Sequence, residues 1–246
     1  MTKKKKNIEQ KLMSFLLEIS FVGQRVEAML MEESFRYLLT QILKLIREAE
    51  WIVGFRTVNG FVQQMIPESA EVLHLTYKNK TEELERAAHA HQQGKNVVVL
   101  FMGDPHFSGF QMIERLERAC GHRVEILPGI SAAQILASKT KVCFDETTFL
   151  TFHRRGDLEP FKRHLLHVLE DQRNAIVIPH TWDFMPAAIA SYLIEQGISS
   201  SHQVEVWEHL TATEAAWQGT LAECTHEFSD MSIMLIRTLQ PMPSQV

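Results

Sequence analysis

Residues 97–102, Val-Val-Val-Leu-Phe-Met, form an unbroken apolar run that stops at Gly103–Asp104–Pro105. A strand with one wet face alternates polar and apolar side chains. A run without alternation needs cover on both faces, which a parallel sheet between helices supplies. Sixteen residues past Gly109 a second run, Glu125–Ile126–Leu127, stops at Pro128–Gly129–Ile130–Ser131. In open α/β sheets ligands bind outside the carboxyl ends of the strands, so two such turns point to one small-molecule site.

The rest of the chain repeats the strand–helix rhythm. Residues 14–22 read as a first strand ending at Gly23, residues 32–49 as a helix with one apolar stripe, and residues 50–54 as a short buried strand. A helix over 81–93 starts with Thr81 as its N-cap, places Glu82 and Glu83 in the first turn and ends at Gly94. Strand 96–102, helix 108–120, strand 123–127 and helix 131–138 follow. A second set begins near Thr147: strand 148–153, helix 159–171, strand 174–179, helix 185–196 and strands 203–209 and 231–238. The stretch between the last two strands reads as hairpin-like, which makes that sheet mixed. The expected architecture is α/β, with two α/β domains: residues 1–146 with a mostly parallel sheet, residues 147–246 with a mixed one, and a ligand cleft between them.

Composition excludes several classes. A formal charge of −5 gives no field that favours a nucleic-acid backbone. The cluster Lys3–Lys6 reads as a solvated terminus. Three widely spaced cysteines, none in a Cys-x-x-Cys pair, do not build a disulfide framework or a structural zinc site and fit a cytoplasmic protein. No apolar stretch is long enough for a membrane span. Twelve histidines include His164 and His167 at helical spacing, but no His-Glu-x-x-His accompanies them, so they read as surface residues without a metal.

No Gly-x-Gly-x-x-Gly, no phosphate-loop motif and no Gly-x-Ser-x-Gly elbow occurs. What the turns offer is different. Asp104 either caps a helix that starts at Pro105, or orients backbone amides and accepts from a ligand; both readings stay open. Ser131 can cap the next helix and can also turn its free amides toward a carboxylate. His153–Arg154–Arg155, directly after an apolar strand, is either an ordinary loop or a recognition element for a polyanion, since Arg presents a fork that matches carboxylates.

These elements, in this order, resemble the tetrapyrrole methylases. The segments that carry the likeness are Gly103–Asp104–Pro105–His106–Phe107–Ser108–Gly109, Leu127–Pro128–Gly129–Ile130–Ser131–Ala132–Ala133–Gln134 and Phe152–His153–Arg154–Arg155. Val206–Trp207–Glu208–His209–Leu210 with Glu214 and Gly219, and Ala49–Glu50–Trp51–Ile52–Val53–Gly54, add to them. Within the superfamily the likeness is greatest to enzymes that methylate carbon 5 of precorrin intermediates in cobalamin synthesis. The family's first strand ends in Gly-x-Gly-Pro-Gly, whereas Phe21–Glu27 here keeps one glycine, and Arg154 stands where the family has glycine.

The resemblance implies S-adenosylmethionine as methyl donor, bound by Met102, Gly103, Asp104, Phe107, Ser131, Ala132, His180 and Leu210. It implies a tetrapyrrole substrate whose carboxylates meet His153, Arg154 and Arg155. It also implies a homodimer, and a separate partner chain for methylation and decarboxylation at carbon 15. No catalytic base is singled out, because displacement at a sulfonium methyl requires positioning more than proton transfer. Other branches of the superfamily, and a non-catalytic member with an altered first loop, are the competing readings.

Overall fold

The computed structural model describes residues 32–210 and 213–239. The expected strand 14–22 and the glycine-poor loop after it lie outside the described residues. The chain divides into two compact units, Met1–Leu39 and Thr40–Val246. Of the first, residues 32–39 are described, as the opening turns of helix α1 (Glu32–Glu48).

The second unit contains two sheets. The first has three parallel strands in the order β2–β1–β3, with β1 at Trp51–Phe55, β2 at Glu71–Leu75 and β3 at Val97–Val99. Helix α2 (Arg56–Val62) lies between β1 and β2, and α3 (Lys80–Gln92) joins β2 to β3. Val53, Leu73, Leu75, Leu84, Ala87 and Leu116 fill one side of this sheet, while Ile46, Ala49 and Ile52 begin the core on the other. Cover on both faces is what the unalternating Val97–Leu100 run demands.

The second sheet has the order β4–β5–β8–β6–β7. Its strands are β4 (Thr147–Thr151), β5 (Asn174–Ile178), β6 (Gln203–Glu208), β7 (Ala215–Thr220) and β8 (Ser232–Ile236). Only β4 and β5 are parallel; β8 runs antiparallel to β5 and β6, and β6–β7 is the hairpin expected from the gap. Helices α7 (Glu159–Glu170) and α8 (Pro186–Glu195) cover one face through Leu165, Val168, Ile189 and Leu193. The mixed α/β architecture matches the expectation.

Two local expectations fail. Residues 123–127 form no strand. Among the described residues no strand pairs with them, and Val124–Leu127 and Val97–Phe101 both line an apolar cavity of about 430 Å³. Thr81 is not the N-cap of α3; Asn79 is, and its side chain does not cap the helix. Asn79 Oδ1 instead accepts from the Thr76 amide at 2.6 Å and the Thr76 hydroxyl at 2.8 Å, so the loop before the helix claims it. Gly94 does stop α3 as expected, at φ +84°.

Candidate functional site

Strand β3 delivers the chain to Met102, whose side chain is exposed, and then to Gly103 at φ +68°. That left-handed backbone suits glycine and disfavours a side chain. Asp104 follows, buried, as N-cap of the short helix α4 (Pro105–Ser108). Its Oδ1 accepts from the His106 amide at 2.8 Å and lies 2.7 Å from His106 Nδ1. The capping reading of Asp104 is therefore realised in the geometry, and helix α5 (Phe110–Cys120) continues the segment.

The second turn closes against the first, backbone to backbone. A Cβ on Gly129 would run into the Gly103 carbonyl, and one on Gly103 would meet Ile130 O at 3.3 Å and Ser131 Cα at 3.6 Å. Helix α6 (Ala132–Thr140) starts there with a capping box: the Ala133 amide donates to Ser131 Oγ at 3.2 Å, and the Ser131 amide donates to Gln134 Oε1 at 2.6 Å. Although α6 follows the first sheet in sequence, Ala133, Leu136 and Ala137 pack onto the second, against Ile176, Ile233 and Leu235. Phe107 and Leu210 pack on the same cluster, and Phe107 meets Phe149 of β4 edge to face, ring centroids 5.0 Å apart. Met102, Gly103, Asp104, Ser131 and Ala132 thus gather at one pair of turns, while Phe107 and Leu210 pack on the cluster that α6 shares with the second sheet.

The remaining residues lie near β4 and β5. His180 follows β5; its amide donates to Phe184 O at 3.2 Å, and its Nδ1 is 3.5 Å from Asp183 Oδ2. His153, exposed after β4, is held below the usual histidine pKa first by lost hydration, then by His180 and Lys80, with Asp230 opposing. The two arginines part company. Arg154 lays its guanidinium over the Phe161 ring of α7 at 3.9 Å and has its Nε buried without a hydrogen-bond partner. Arg155 is clasped by Gln111 of α5: its amide donates to Gln111 Oε1 at 3.0 Å and its carbonyl accepts from Gln111 Nε2 at 2.9 Å. Gln111, Glu114, Arg115, Arg118 and Arg155 line a polar pocket of about 140 Å³.

Sequence reasoning missed Gln111, Arg115 and Lys80, which carry no motif. The glycine between Pro128 and Ile130 was the available signal that something approaches closely. Among the described residues no group of three or more His, Cys, Asp or Glu side chains is placed to hold a metal ion, and no helix is long and apolar enough to cross a membrane.

The chain is similar to several known proteins. It is 28% identical over 176 residues, 71% of this chain and 78% of the relative, to a probable cobalt-precorrin-7 C(5)-methyltransferase of Methanocaldococcus jannaschii. Among solved structures it resembles the methyltransferase CobJ (TM-score 0.66, 18% identity, covering 81% of this chain and 87% of that one). It also resembles a precorrin-6Y methylase from Archaeoglobus fulgidus (TM-score 0.60, 20% identity, covering 81% and 90%). A third is a uroporphyrin-III C-methyltransferase from Thermus thermophilus complexed with S-adenosyl homocysteine (TM-score 0.60, 22% identity, covering 80% and 90%). These structural likenesses are evidence of shared fold. The pattern of the tetrapyrrole (corrin/porphyrin) methylases matches residues 38–225, most of the sequence. With both sheets and the paired turns in place, the chain belongs to the tetrapyrrole methylases.

Proposed function

We propose that the protein is an S-adenosylmethionine-dependent methyltransferase that acts on carbon 5 of a precorrin or cobalt-precorrin intermediate in cobalamin synthesis. The observation that carries this reading is the abutment of Gly103–Asp104 on Gly129–Ser131, in a chain with a carbon-5 methyltransferase as relative. The turns suit the donor. Gly103 keeps side chains away from the backbone, Met102 and Ala132 are exposed beside it, and the Ser131 cap orients the start of α6.

When bound, the sulfonium donor supplies an activated methyl group. Positioning and exclusion of water are then the protein's share. Gly103, Asp104, Ser131 and Ala132 would hold the donor. Phe107 and Leu210, anchored on the second sheet, would wall the site from solvent. Arg155, whose backbone Gln111 holds, would take a substrate carboxylate. Arg154 instead stacks on Phe161, and serves the loop's conformation. A homodimer, and a separate chain for the carbon-15 chemistry, belong to the same reading.

Calorimetry with S-adenosylmethionine, followed by turnover of purified precorrin intermediates, tests it. Arg155→Ala is expected to raise KM for the tetrapyrrole about tenfold, as loss of one charge-assisted hydrogen bond would, with donor affinity unchanged. Absence of donor binding at millimolar concentration would refute the methyltransferase reading.

A further inference from the structure

Away from the paired turns, two histidines 31 residues apart in sequence meet across the ends of two helices. Helix α3 ends at Gln92 and α5 at Cys120, and the two pack side by side. Gln92 Nε2 donates to Ala119 O at 3.4 Å across their ends. His91 stands in the last turn of α3. Gly121 caps α5 at φ +73°, its amide donating to Glu117 O at 2.9 Å, and after that left-handed turn His122 is the next residue. Two helix carboxyl ends together present the negative side of both dipoles, a setting that favours a cation.

The two exposed rings meet tip to tip, Nε2 to Nε2 at 3.0 Å, with ring centroids 5.2 Å apart. His122 Nδ1 lies 2.7 Å from the Arg123 carbonyl oxygen. A carbonyl only accepts, so Nδ1 carries the hydrogen, and Nε2 of the neutral ring is a lone pair facing His91. A backbone carbonyl on the far nitrogen is a partner by which metal-ligating histidines fix their tautomer and ring orientation. Metal–imidazole bonds of about 2.0–2.1 Å set two nitrogens on one ion about 2.9 Å apart at a right angle and about 3.3 Å apart at the tetrahedral angle. The observed separation falls between these. His89, two residues earlier, stands outside the pair, because Gln93 Nε2 donates to its Nε2 at 2.9 Å.

We propose that His91 and His122 form a site for one borderline divalent transition-metal ion, of the Ni²⁺ and Zn²⁺ class, which clasps the carboxyl ends of α3 and α5. Imidazole nitrogen selects such ions over Mg²⁺ and Ca²⁺, which take oxygen ligands. A tilt of each exposed ring turns both Nε2 lone pairs onto the ion. The hydrogen that His91 places between the nitrogens moves to its own Nδ1, so neither ring changes charge. Water fills the remaining coordination positions. Two protein donors make an exchangeable brace, unlike the closed four-ligand set of structural zinc. The site is independent of the methyl-transfer reading, since neither ring belongs to the paired turns.

The test titrates Ni²⁺ alone into the untagged, metal-stripped full chain by calorimetry, with histidine ring resonances followed by nuclear magnetic resonance. One equivalent is expected to bind and to broaden His91 and His122 before any other histidine. His91→Gln and His122→Gln are each expected to weaken it at least about tenfold, since even a partner behind a ligand is worth that much. The double variant should lose less than the sum of the two, as a shared ion requires. His89→Gln, and His167→Gln on α7, should bind as the parent does. Ni²⁺ at about a hundred times its Kd should raise Tm by at least about 5 °C in the parent and not in either single variant, whose metal-free Tm should equal the parent's because both rings are exposed. Unchanged nickel affinity in the two variants, its loss in His167→Gln, or displacement of nickel by millimolar Mg²⁺ would each overturn the proposal. So would a parent chain that binds no nickel, which would leave the two rings sharing a hydrogen and nothing more. Donor affinity should be the same with and without nickel, so this site and the methyltransferase reading fail separately.

Discussion

Replacing Gly129 by alanine probes the contact on which the site depends. Gly129 lacks a positive φ, so the substitution introduces no backbone strain of its own. The new Cβ would instead collide with the Gly103 carbonyl, 3.0 Å from Gly103 C and 3.4 Å from Asp104 Cα. All three are main-chain atoms and cannot rotate away, so one turn must retreat from the other. Overpacking of this kind costs about 1–3 kcal/mol, which for a chain of this size lowers Tm by roughly 2–12 °C. Gly60→Ala is the matched control. Gly60 is exposed in α2, without a positive φ, and a Cβ there meets nothing within 4 Å. It is expected to gain about 0.4–1 kcal/mol through helix propensity and a less flexible unfolded chain. Differential scanning calorimetry on both variants gives the comparison, and titration with S-adenosylmethionine adds the functional half: about tenfold weaker binding for Gly129→Ala, none for Gly60→Ala. A Gly129→Ala protein that melts within about 1 °C of the parent would refute the abutment of the two turns.

Two further expectations follow from buried or crowded charge. Glu205 is buried on β6 and accepts from Arg237 Nη2 at 2.7 Å, Arg237 Nε at 3.0 Å, Gln218 Nε2 at 3.2 Å and Trp207 Nε1 at 3.3 Å. Arg237→Ala strands that carboxylate and should cost about 3 kcal/mol in urea denaturation, while adding Glu205→Gln should recover much of it; a single-variant loss under about 1 kcal/mol would contradict the buried-pair reasoning. His153 should titrate in nuclear magnetic resonance below the ordinary histidine value, for its desolvation and its His180 and Lys80 neighbours. Because its folded pKa is the lower one, the unfolded chain takes up the proton first. Its destabilising contribution is therefore absent above the ordinary value, sets in as pH falls through it, and is complete below the folded value. Lys80→Gln should move the His153 titration upward, and an unmoved titration would show that the two groups do not face each other.

The likeness between residues 123–127 and a strand shows where local reading stops. Leu127 ends an apolar run, but a strand also needs a partner, and none of the described strands lies beside it. Asn79 displaced Thr81 as the N-cap of α3 for a related reason: its side chain had better acceptor work in the preceding loop. Arg154 and Arg155 are indistinguishable in sequence. One found an aromatic ring on α7 and the other a glutamine on α5.

By itself the sequence determined what short-range chemistry decides: buried strands, through their missing alternation, the helix stop at Gly94, and Asp104 and Ser131 as residues able to cap the helices that follow them. It also located the two turns and, through their ordered motifs, the family. Only the tertiary structure decided that Gly103 and Gly129 touch, that α6 covers the second sheet, and that Tyr77 and Trp182, more than a hundred residues apart, pair beside Lys80. Capping and alternation are settled within a few residues by hydrogen bonds and burial, whereas these contacts depend on how whole sheets and helices pack, and no local pattern encodes that.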